Sequence, residues 1–131
     1  MSNKVAIIAA NGGLFDAYKV FNIATAAAAS EKDVQIFFTF EGLNLIHKQR
    51  MHVLEMPAGK ELFAEGFQNA QVPAVPQLVE MAQELGVKFV ACQMTMDVMG
   101  LTKDDFVDGI DVGGAVTFLE YAKDASLTLT F

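Results

Sequence analysis

The chain predicts an α/β fold built on a five-stranded, parallel or mostly parallel sheet with helices on both faces. Three observations carry that expectation. Runs of β-branched and apolar residues recur along the 131 residues and alternate with segments of helical spacing. The run at Val5 is continuous instead of alternating, which suits a strand covered on both faces. The stretches between runs are long enough for crossovers, which return each strand parallel to the last.

The first strand is the run Lys4 to Ala10, closed by the turn Asn11-Gly12-Gly13. Leu14, Tyr18, Phe21, Thr25 and Ala28 then recur at helical spacing, ending near Ser30. Asp33 to Phe40 reads as the second strand, and Leu43 to Lys48 as a short helical stretch. Residues 49–71 are irregular, with Pro57, Gly59 and Gly66 interrupting and Phe63 and Phe67 among polar neighbours. Such a stretch reads either as a flap or lid or as a short hairpin or helix. The pattern leaves both open, along with whether the segment covers Cys92.

Pro73 and Pro76 lead into a helix from Gln77 to Leu85, with Leu78, Met81 and Leu85 on one face and Gly86 as its stop. Lys88 to Ala91 is the third strand and ends at Cys92. Thr102 to Asp105 has the Thr-x-x-Asp form of a helix start. Val107 to Ile110 is expected as a brief strand, with Asp111 capping a helix from Val112 to Lys123. Ser126 to Phe131 alternates and reads as a last strand at a sheet edge.

Length and composition fit one domain over residues 1–131, with a core that needs no staples. A hydrophobic fraction of 53% and 11 phenylalanines agree with a filled interior. The net charge of −7 argues against nucleic acid and against an anionic membrane surface, and it would steer a basic protein partner toward the chain. No signal peptide and no membrane span are expected, because no apolar run approaches the roughly 18 residues needed. A cytoplasmic, reducing location is the default, and there a lone cysteine keeps its thiol.

That cysteine is Cys92. It closes the third strand and opens the turn Gln93 to Gly100, so its sulfur is expected at the carboxyl edge of the sheet, facing a helix start that favours a thiolate. It reads either as a reactive thiol or as a small buried apolar residue. A single cysteine excludes a dithiol cycle within one chain. A Cys-His hydrolase would have to recruit His47 or His52 from a poorly patterned segment. Single-thiol chemistry remains: persulfide transfer, peroxide reduction with an external thiol, or mixed-disulfide exchange.

The other motifs are weaker. Asn11-Gly12-Gly13 sits where α/β folds bind phosphates but lacks the full glycine fingerprint. It reads as a tight turn or as an amide cradle for a small anion. His47 and His52 are five residues apart, the wrong spacing for a helical zinc pair, so no metal site and no cofactor are expected. With Lys48 and Arg50 they read as a positive patch, which would favour a thiolate at Cys92 if the two lie together. Cys92, Met94, Met96 and Met99 are soft ligands of the kind that hold Cu(I). Residues two apart diverge by about 200° on a helix, which works against convergence.

The segment Phe89 to Gly100 resembles the cysteine motif of DsrE/DsrF-like sulfur-carrier proteins, the branch also labelled peroxiredoxin-like. The pattern Ala-Cys-x-Met-Ser/Thr-Met-Asp-x-Met-Gly carries the likeness. Phe37 to Leu45 and Gly109 to Ala115 resemble two further family segments. The resemblance implies a three-layer α/β/α domain, a homo-oligomer, and sulfur carried as a persulfide on Cys92 to or from a TusA-like or rhodanese-like partner. The Gln93 and Met94 amides would stabilise the anion, and Met94, Met96 and Met99 would wall the site or meet a neighbouring subunit. Members of this branch usually carry Trp where Glu41 stands, and a carboxylate makes that edge more polar. Two alternatives stand beside the carrier. One is a non-catalytic oligomeric scaffold with an inert Cys92. The other is peroxide reduction, for which Thr95 is local to the thiol but no supporting Arg or Thr pair is evident.

Overall fold

Strands β1 (Lys4–Ala9), β2 (Asp33–Phe38), β3 (Lys88–Cys92), β4 (Asp111–Gly113) and β5 (Leu127–Thr130) form one sheet in the order β4-β3-β2-β1-β5. The computed structural model describes residues 2–131, and all four strand pairings among them are parallel. The helices are α1 (Leu14–Ala29), α2 (Leu62–Asn69), α3 (Val75–Glu84), α4 (Gln93–Met99) and α5 (Ala115–Ala122), with 3-10 turns at Phe40–Ile46, Arg50–His52 and Lys103–Asp105.

Successive strand residues point to opposite faces, and the two faces bury different sets. Val5, Ile7, Ala9, Val34, Ile36, Phe38, Phe89 and Ala91 pack under α1 and α3. Phe21, Phe38 and Phe89 meet there with ring centroids 5.2 to 6.2 Å apart. Ala6, Phe37, Val90 and Cys92 face the other way and pack under Phe118 of α5. Helices therefore cover both faces, as expected for a three-layer fold. The second face carries one helix, and Val116 and Leu119 on it remain exposed.

Four element boundaries differ from the sequence reading. The fourth strand is Asp111–Gly113, not Val107 to Ile110. Gly109 takes a left-handed turn (φ +83°), and pairing begins only where Asp111 meets Val90. Asp111 is thus a strand residue, and α5 starts later, capped at Gly114 with the Thr117 hydroxyl accepting from the Gly114 N–H. Helix α3 begins at Val75, since proline is tolerated in a first turn. Strand β2 stops at Phe38, and the chain turns into the 3-10 stretch at Phe40.

The irregular middle resolves into a helix. In α2, Phe63 and Phe67 dock on Phe15 and Tyr18 of α1, with the Tyr18 and Phe67 rings stacked at 4.9 Å. This segment rides on the start of α1. None of its residues belongs to the cluster around Cys92.

Candidate functional site

Cys92 ends β3 and pairs in register with Gly113, the end of β4. After β3 the chain enters α4, whose Met96 packs with the α1 and α3 side. After β4 it enters α5 on the opposite side. The ends of β3 and β4 therefore form a topological switch point, where open α/β sheets have their crevice.

On the other flank, Phe38 of β2 pairs with Ala91, so Thr39 stands level with Cys92. Cys92 is also the N-cap of α4, which puts Met94 and Thr95 at the second and third helical positions. Amides at those positions aim at an N-cap side chain. The sulfur makes no conventional cap hydrogen bond, yet its surroundings favour the anion. Burial pushes the Cys92 thiol up from its ordinary 9.0. Hydrogen bonding from the Thr95 hydroxyl and N–H, the Thr39 hydroxyl and the Met94 N–H outweighs burial and leaves the pKa lowered. The two hydroxyls are 3.3 Å apart, and the Phe40 N–H donates to Thr95 Oγ1 at 3.1 Å.

The turn holding Thr39 is locked by close packing. Its N–H donates to the Ala9 carbonyl at 3.0 Å, and the Gly42 N–H donates to the Thr39 carbonyl at 2.9 Å. A Cβ on Gly42 would strike the Ala9 carbonyl, and one on Gly12 would strike the Glu41 carbonyl. Within this interlock Phe40 adopts φ +50°, a left-handed conformation costly for an aromatic residue. Its side chain is 60% exposed.

The structure separates several residues that the sequence grouped. Thr39 and Thr95 form the threonine pair that the sequence did not reveal, because 56 residues lie between them. The amides at the sulfur are those of Met94 and Thr95, not Gln93, whose side chain turns to Asp97 at 2.9 Å. Met96 is buried in the core while Met94 is exposed, so the methionines build no common wall. Met94 and Met99 instead line an apolar groove of about 230 Å³ with Phe40, Glu41, Thr95 and Val98.

Glu41 stands between that groove and a polar cavity of about 360 Å³. Gly12, Gly13, Asn44, Arg50 and Glu55 are among the residues lining the cavity. Gly12 and Gly13 serve the interlock and the α1 cap, where the Gly13 N–H donates to Asp16 at 3.0 Å. Asn11 is exposed just beyond β1. The expected positive patch does not form as a unit. His47 is buried, with Nδ1 accepting from the Gln49 and Arg50 N–H groups at 3.1 Å. Burial first, and Arg50 second, hold its pKa below 6.5, against a smaller upward pull from Asp105.

A model of the DsrE/DsrF/DrsH-like family matches residues 1–65 and 51–130. The chain is 33% identical to the sulfur carrier protein DsrE2 of Allochromatium vinosum, over 96% of both chains. It is 31% identical to the uncharacterised protein YrkE of Bacillus subtilis, over 98% of this chain and 96% of the relative. The alignment with the Allochromatium protein runs over 153 positions, so that relative carries residues which the 131-residue chain lacks. Among solved structures, the ychN protein from E. coli superimposes with a TM-score of 0.66 at 20% identity, covering 100% of both chains. Protein BT1422 from Bacteroides thetaiotaomicron gives 0.62 at 16% identity over 98% of this chain and 95% of that one. These two likenesses speak to the fold.

Proposed function

This chain belongs to the DsrE/DsrF/DrsH-like family, and on that premise we propose that it relays sulfur, with Cys92 taking sulfane sulfur as a persulfide and passing it to a partner thiol. The observation that carries the reading is the placement of Cys92 at the end of β3 and the N-cap of α4, level with Thr39 and beside Thr95, surroundings that lower its pKa although the residue is 5% exposed. The sulfur carrier among its relatives supports a role of this kind.

In the first half-reaction the Cys92 thiolate attacks the outer sulfur of a donor persulfide. The Cys92–S bond forms as the donor's S–S bond breaks. The electron pair leaves on the donor's inner sulfur, which takes the proton. In the second, an acceptor thiolate attacks the outer sulfur on Cys92 and the pair returns to Sγ. Nothing is oxidised on balance, so one cysteine suffices. Thr39, Thr95 and the two amides stabilise the anion present at the start and end of the cycle. A TusA-like or rhodanese-like protein is the partner type this reading calls for.

Mass spectrometry after incubation with glutathione persulfide tests it. One added sulfur on Cys92, absent in Cys92→Ser, supports the relay, and no adduct at any donor ratio overturns it. The low exposure of Cys92 favours a second reading, a scaffold protein with an inert thiol. That reading predicts alkylation of Cys92 only after denaturation.

A further inference from the structure

The groove beside the thiol is built to receive a side chain of another protein. It is lined by Phe40, Glu41, Met94, Thr95, Val98 and Met99 and measures about 230 Å³. That lies below the roughly 300–1,000 Å³ of small-molecule pockets. Its rim is apolar and projects into solvent: Phe40 is 60% exposed, Met94 54% and Val98 79%. A side-chain-sized recess inside an apolar collar is the arrangement of a binding hot spot. Phe40 is held there in a strained left-handed backbone and enters no aromatic pair among those the described residues form.

Charge selects the occupant. Among the described residues Glu41 is the only charged one lining the groove, Asp97 lies on α4, the helix that supplies Met94, Val98 and Met99, and the whole chain carries −7. A second copy would bring like charge to like charge, whereas a cationic surface is attracted and steered. The groove is also joined to the thiol, because Thr95, which lines it, is the third residue of the helix that Cys92 caps.

We propose that the groove is the docking site for a basic protein partner, which seats one aliphatic side chain among Phe40, Met94 and Val98 and sets a Lys or Arg against Glu41. The proposal rests on the sulfur-relay reading for the partner's purpose, and on the groove alone for its chemistry.

The test uses two synthetic peptides, one with a single leucine flanked by lysines and its twin with glutamates, titrated into the full chain and followed by amide NMR shifts. The lysine peptide is expected to shift Phe40, Glu41, Met94 and Val98, and to bind about tenfold tighter than its twin, a difference of about 1.4 kcal/mol. That preference shrinks at high salt. Glu41→Lys should reverse the preference, and Val98→Asn should weaken the lysine peptide about tenfold. Val98→Asn should still load sulfur from glutathione persulfide as the wild type does. No binding, equal binding of both peptides, shifts elsewhere, or dilution-dependent shifts at Phe40 and Val98 that reveal a second copy in the groove would each overturn the proposal. Wild-type protein that binds the peptide but never loads sulfur would defeat the relay reading instead and leave the docking site standing.

Discussion

The Phe40 N–H donates to Thr95 Oγ1 at 3.1 Å, and Phe40 holds φ +50° while doing so. With that lone pair occupied, the Thr95 hydroxyl proton is left for Thr39 or for the sulfur of Cys92. A backbone strain on one strand end thereby orients a donor on the next. Thr95→Val is expected to raise the Cys92 pKa and slow its alkylation at neutral pH, while Thr95→Ser keeps both near wild type. Stability should fall by about 1 kcal/mol in the valine variant, because the Phe40 N–H loses its acceptor. Alkylation rate against pH and urea unfolding read the two effects separately.

Phe40 itself separates strain from surface. Phe40→Gly keeps the N–H and removes the left-handed penalty of about 1–2 kcal/mol, against an entropy loss of about 0.5–1 kcal/mol. Stability should hold or rise by up to about 1.5 kcal/mol, and the alkylation profile of Cys92 should not move. Phe40→Val keeps the penalty and adds a branched Cβ, so it should be at least about 1 kcal/mol less stable than the glycine variant. Equal stability of the two by urea denaturation would count against strain at this position.

Part of this site was readable from the chain. The strand before Cys92 and the helix after it are local patterns, so the sulfur's place at the sheet edge follows from a dozen residues. Thr39 is different. Its contact with Thr95 depends on β2 and β3 being neighbours in register, with Phe38 against Ala91, and a single sequence does not encode that adjacency as a pattern. With the strand order assumed, Thr39 follows β2 at the level of Cys92, which is the signal that was there to be used. Strand β4 was hidden for another reason. Three residues, Asp111–Gly113, are too few to show a period, and Val112 and Gly113 fall within the helix expected from Val112 to Lys123.

The thiol's pH dependence has a definite sign. The folded pKa of Cys92 lies below the 9.0 of an ordinary thiol. The folded state therefore releases this proton at lower pH than the unfolded chain does. The resulting stability is fully present above the unfolded value and is lost as pH falls through the folded one. Wild type minus Cys92→Ser, compared by urea midpoint across that window, should grow with pH. Alkylation should persist below pH 9.0 and decline only at the lowered pKa. A difference that shrinks as pH rises would contradict the hydrogen-bonded shell.

His47 should titrate stability at the acid end. Its neutral ring accepts two backbone N–H groups, and protonation of Nδ1 removes both bonds. Because the folded pKa is depressed below 6.5, the contribution is complete above that value and lost as pH falls through the folded one. His47→Ala should flatten this acid dependence and cost about 1–3 kcal/mol at neutral pH, since the two N–H groups lose their acceptor.

The interlocked turns supply the sharpest contrast. Gly42→Ala drives a Cβ into the Ala9 carbonyl, and Gly12→Ala drives one into the Glu41 carbonyl, both rigid backbone atoms at the sheet edge. Each should cost more than about 3 kcal/mol or prevent folding, the range of overpacking with no room to relax. Gly66 lies within α2 with open space around it. Gly66→Ala should therefore stabilise by about 0.5–1 kcal/mol, through helix propensity and a less flexible unfolded chain. Where the edge variants fold, the turn carrying Thr39 and Phe40 must shift, and the Cys92 pKa should rise with it. A destabilised Gly42→Ala with an unchanged alkylation profile would show that the interlock holds the fold but does not tune the thiol.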